Sequence, residues 1–157
     1  MTEFLLSLHV LAAIIAVGPV TVAASMFPPA ARRAMGPDGD GAGAGAVGTV
    51  RLLHRICRVY AGVGVAVPVL GFATASAMGV LGDGWLVTSV ALTAAAAGVL
   101  VAFVLPRQDE LLAQLADHRP VERAGTARLA MFTGLFNLLW ATVTVLMIVR
   151  PGSTTGA

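Results

Sequence analysis

The side chains able to do chemistry are few: three histidines (His9, His54 and His118), one cysteine (Cys57), and a single asparagine, Asn137, inside an apolar run. His9 stands in "FLLSLHVLAAIIAVGPV", residues 4–20. An imidazole among aliphatic side chains needs a hydrogen-bond partner, a ligand or a route to water, because an unpaired polar group in hydrocarbon costs several kcal/mol. A bis-histidine haem needs two imidazoles at one depth, and these three do not share one. His9 lies early in its run, His54 at the edge of the next, and His118 in a polar connection. A haem on His9 alone, or shared between two copies of the chain, keeps to the inventory. So does Cu(I) on His9 with the thioethers of Met78 and Met147. Neither cofactor is favoured over an imidazole that is simply hydrogen-bonded. The lone Cys57 excludes an internal disulfide and any multi-cysteine zinc or iron–sulfur site within one chain. No carboxylate pair, no Ser-His-Asp set at one depth and no HExxH occurs in the apolar runs. The eight acids, Asp83 and Asp109 among them, fall in termini and connections. This inventory points away from an enzyme.

The elements that must position these groups follow from composition. The 157 residues are 57% hydrophobic and only 11% charged, and the mean hydropathy is +0.87, which places the chain among membrane proteins. Four runs reach the roughly 20 apolar residues that a bilayer core requires: residues 4–26, 56–81, 85–105 and 129–149. The expected fold is all-α, a single polytopic domain in which four transmembrane helices form a bundle. Pro28-Pro29 and the glycine-rich stretch 36–48 read as a break and a flexible linker, "GDG" at 82–84 as the turn of a tight hairpin, and 106–128 as a polar connection opened by Pro106. The first run is expected to be retained: Glu3 occupies what would be a basic n-region, and the run exceeds the roughly 7 to 15 residues of a signal core.

Charge orients the bundle. All ten basic residues are Arg, and nine of them cluster in or beside the first and third connections, against none at 82–84 and Arg150 alone in the C-terminal tail. The positive-inside rule then puts both connections in the cytoplasm and both termini outside. The Ala, Gly and Val bias and the lack of lysine suggest a GC-rich bacterial source, hence the cytoplasmic (inner) membrane. Within "TVRLLHRICRVY", Arg51, His54, Arg55 and Arg58 follow a helical spacing and form one cationic stripe. A stripe abutting a membrane span marks anionic lipid headgroups rather than nucleic acid.

Helical periodicity assigns faces. His9 shares its face with Ala12, Ala13, Ala16 and Ala23, while Leu8, Leu11, Ile15 and Val22 line the opposite one. Small residues let helices approach closely, so His9 is expected to face the bundle. Gly71, Ala75 and Gly79, and likewise Ala94, Gly98 and Ala102, form small-residue ridges expected to pack helices. Asn137 shares a face with Thr133 and Thr144, where its amide sets bundle register or touches a ligand. His9 and Asn137 are thus the candidate cofactor contacts.

The run of "LHVLAA" in the first helix, "LHRICRVYAGVGVAVPVLGFATA" in the second and a late fourth helix after a charged connection resembles a bacterial family of four-helix integral membrane proteins without an assigned function. More distantly, "LHVLA" is similar to the first helix of HemJ-type protoporphyrinogen oxidases and of copper-resistance D proteins. In the HemJ-type enzymes a first-helix His and an intramembrane Lys are functional; His9 matches the former, and this sequence has no lysine. The expected function is therefore a non-catalytic accessory, assembly or small-molecule-binding membrane component, partnered by lipid and by another copy of itself or another membrane protein. The alternative is a porphyrin-linked or copper-handling protein using His9.

Overall fold

The computed structural model describes residues 1–34, 42–117, 119 and 123–152. Its regular structure among those residues is helical throughout: α1 (Thr2–Arg33), α2 (Ala42–Val63), α3 (Ala66–Met78), α4 (Gly84–Val99), a π-helical segment (Leu100–Val104), α5 (Leu105–Ala116) and α6 (Arg123–Val149). Four stretches, Thr2–Arg33, Gly45–Met78, Gly84–Ala116 and Arg123–Val149, are long and apolar enough to cross a membrane.

Three breaks expected from composition are helical instead. α1 runs through Pro28 and Pro29 to Arg33; these prolines free the carbonyls of Ala24 and Ser25 from their helical donors. Burial of Phe27, Pro28 and Ala31 against neighbouring helices holds the backbone on course. Residues 42–48 of the expected linker form the first turns of α2, and residues 36–41 lie outside the described residues. The break expected at Pro106 is absorbed by the π-helical turn. Its wider ladder, with the Leu105 N–H donating to the Leu100 carbonyl, makes room for a proline in the first turn of α5.

Elsewhere the chain does bend. α2 and α3 divide one apolar stretch at Gly64 and Val65 because Pro68 has no N–H for the Gly64 carbonyl, which takes the Val67 N–H at 3.1 Å instead. Gly79 ends α3 at φ +71°, with its N–H on Ser76 O and the Val80 N–H on Ala75 O, both at 3.2 Å. This is the paired bonding of a Schellman cap, for which a residue without Cβ is suited.

α1 lies at the centre, packed along α2 and α3 on one side and against α6 on the other, while α4 packs on α6. α3 and α4 are joined by a tight turn but barely pair along their lengths, since each lies on a different partner. At the arginine-rich end α2 also meets α5. The main core fills that half with Phe27, Val50, Cys57, Val104, Leu111 and Leu129. A smaller cluster of Ala75, Trp85 and Leu86, backed by Met147, fills the opposite end.

Candidate functional site: imidazole and amide junctions between helices

His9 projects from the buried face of α1 and is 7% exposed. Its Nδ1 lies 3.0 Å from the Val67 carbonyl of α3, so Nδ1–H donates and the carbonyl accepts. The ring lies on Gly71: a Cβ there would stand 2.8 Å from His9 Cε1 and 3.2 Å from Nδ1. Absence of a side chain at 71 therefore gives the imidazole its seat. In the neutral ring this hydrogen bond leaves the lone pair on Nε2.

The second junction is one that the sequence stripe concealed. His54 does not share the exposed cationic face of α2; it is 7% exposed and turned toward α5. Its Nδ1 lies 3.0 Å from Gln108 Oε1, and Gln108 Nε2 in turn donates to Cys57 Sγ at 3.6 Å. Gln108 and Cys57 are both fully buried. On the other side of the ring, Nε2 is 2.9 Å from Asp109 Oδ1, close enough for an ion pair but without hydrogen-bond alignment. With Nδ1 donating to Gln108, only the doubly protonated ring also presents an N–H to Asp109. Asp109 thus belongs to a helix and to this cluster rather than to a polar connection. Gln108 stands between thiol and imidazole, so Cys57 and His54 do not form a nucleophile and base in contact. The sequence signal lies in two patterns: Val50, Leu53, His54 and Cys57 fall on one helical face, as do Gln108, Leu111 and Leu115.

Asn137 of α6 forms the third junction. Its Nδ2 donates to Ser25 Oγ of α1 at 3.2 Å, and its Oδ1, like Thr133 Oγ1 one turn earlier, is buried without a partner. Trp140 packs against the main core.

The remaining sequence candidates divide. Ala75 is buried in the smaller cluster, whereas Gly79 is exposed and serves as the α3 cap. Ala94, Gly98 and Ala102 are exposed, and nothing lies within 4 Å of a Cβ built on Gly98. That stretch instead buries Ser89, Ala96 and Leu100, so its small-residue ridge faces away from the bundle. Arg51, Arg55 and Arg58 are exposed. Met147 packs against Ala75, Trp85 and Leu86. Trp85 donates to Asp83 Oδ2 at 3.0 Å, and the Arg150 guanidinium lies 5.6 Å from its ring centroid. Among the described residues no group of three or more His, Cys, Asp or Glu is arranged to hold a metal ion.

Comparison of the chain with family models, curated proteins and solved structures returns no match.

Proposed function

We propose that the protein is a multi-pass component of a bacterial cytoplasmic membrane, with both termini outside, that works as a non-catalytic accessory, assembly or small-molecule-binding partner. One observation carries this reading: the polar side chains between its helices are used to join helices. His9 ties α1 to α3, His54 ties α2 to α5, and Asn137 ties α6 to α1. Apolar side chains such as Ile14, Phe72, Leu138 and Ile148 cover the outer surface, as a lipid-facing bundle requires. The outward ridge of Ala94, Gly98 and Ala102 would let a second membrane helix, from another copy or another protein, approach closely.

A second reading keeps His9 as a porphyrin or copper ligand. It is favoured by the carbonyl hydrogen bond at Nδ1, which would orient Nε2 as a ligand atom. Purification from haem-replete, copper-supplemented cells separates the two. The accessory reading expects a colourless, metal-free protein in which His9→Gln, still able to donate, keeps most of the stability that His9→Leu loses. A stoichiometric Soret band or bound copper that disappears in His9→Ala would replace it with the second.

A further inference from the structure

We infer that the outward face of α2 at its arginine-rich half seats one anionic phospholipid, with its phosphate on Arg51, Arg55 and Arg58 and an acyl chain in the apolar groove beside them. The inference rests on the reading of the chain as membrane-inserted with this end at the cytoplasmic surface.

The three guanidinia stand at i, i+4 and i+7 on one face, all exposed. None of them enters an ion pair among the described residues; those pairs involve His54, Arg107 and Arg119. Asp109, the acid that α5 brings to α2, stands 2.9 Å from His54 Nε2. Among the described residues the charge on this face is thus unpaired. Immediately beside it, on α2 itself, runs a shallow, open apolar groove of about 310 Å³ lined by Leu52, Arg55, Ile56, Val59 and Tyr60. Leu52 and Val59 are 56% and 54% exposed, so the groove opens sideways, where a bilayer would be.

Arg55 belongs to both the charged stripe and the groove wall. That shared residue selects the occupant: an anion with an apolar chain attached fills both, whereas free phosphate would leave the groove empty and a neutral lipid would leave the arginines unmatched. Bidentate guanidinium–phosphate bonding suits the headgroup. Arg58, about 10 Å further along the helix axis than Arg51, reaches back to the headgroup level on its apolar stem.

The test uses the full chain in lipid nanodiscs and in mild detergent. Native mass spectrometry and thermal unfolding are followed while phosphatidylglycerol, phosphatidylcholine of the same chains, or glycerol phosphate is titrated. One phosphatidylglycerol should be retained per chain, and it should raise Tm more than phosphatidylcholine does, with glycerol phosphate ineffective. In Arg51→Gln/Arg55→Gln the affinity for phosphatidylglycerol should fall by about tenfold or more; in Val59→Trp, which fills the groove, it should fall as well. Arg128→Gln, an exposed arginine on α6, should bind like the wild type. Equal responses to the two lipids, a preference that survives the double variant, or glycerol phosphate matching the lipid would each overturn the seat. A chain that fails to enter the disc overturns the membrane reading and the seat with it. One that enters without lipid preference overturns the seat alone.

Discussion

At His9 and Gly71 one residue is shaped by what its neighbour lacks. The imidazole is fixed by the Val67 carbonyl and rests where a Cβ would intrude to 2.8 Å. Gly71→Ala must therefore displace either the ring or the helix, with an expected loss of about 1–3 kcal/mol. Gly98→Ala, with nothing within 4 Å of its new methyl, should be close to neutral. Denaturant unfolding in detergent measures both, and Gly71→Ala should cost much less in a His9→Ala background than in the wild type; an additive double variant would separate the two residues. Gln108 gives a second prediction at this scale. It is fully buried and serves His54 and Cys57 together, so Gln108→Leu should cost about 1–3 kcal/mol by leaving the imidazole nitrogen without its acceptor. Gln108→Glu retains an acceptor for that nitrogen and should cost less. Equal losses in the two variants would show that the amide does not hold the ring.

Among the elements, α3 and α4 show how similar sequence patterns acquire different uses. Both carry small residues every four positions, yet Gly71 and Ala75 lie inside while Ala94, Gly98 and Ala102 lie outside. Gly79, third in the α3 series, is needed for its backbone: at φ +71° a side chain costs about 1–2 kcal/mol. Gly79→Val should accordingly lower the melting temperature more than Gly79→Asn, because asparagine tolerates the left-handed conformation better; the reverse order would mean that the left-handed conformation does not limit the site. The faces of α1 were legible from periodicity: His9, Ala16 and Ala23 are buried, and Leu8, Leu11, Ile15 and Val22 are exposed. Its end was not. Pro28 and Pro29 are local stop signals that packing around Phe27 and Ala31 overrides, and Pro106 is accommodated by a π-helical turn that no residue spacing announces.

For the whole molecule, the arginine asymmetry makes a claim about direction that labelling can read. In a Cys57→Ser background, Gly82→Cys should react with an impermeant thiol reagent in intact cells, and Asp117→Cys should react only after lysis. Both positions are exposed on the protein, so silence cannot be assigned to burial. Reaction at 117 with protection at 82 would invert the bundle, and would move the arginine face of α2 to the outer surface.

The sequence by itself determined the number of apolar stretches, the two faces of α1 and the clustering of arginine, because each is a property of residues near one another along the chain. Which neighbour each face meets is another matter. His9 finds its carbonyl 58 residues away and His54 its amide 54 residues away, and periodicity within one helix carries no information about either. The same limit hid His54, which continues the cationic spacing of α2 yet is drawn inward because α5 continues helically past Pro106 and brings Gln108 and Asp109 against it. It also left the two small-residue ridges equivalent until the placement of α1 between α3 and α6 buried one and exposed the other. Only the tertiary structure decided these, since close approach depends on which helices are adjacent and how far each continues.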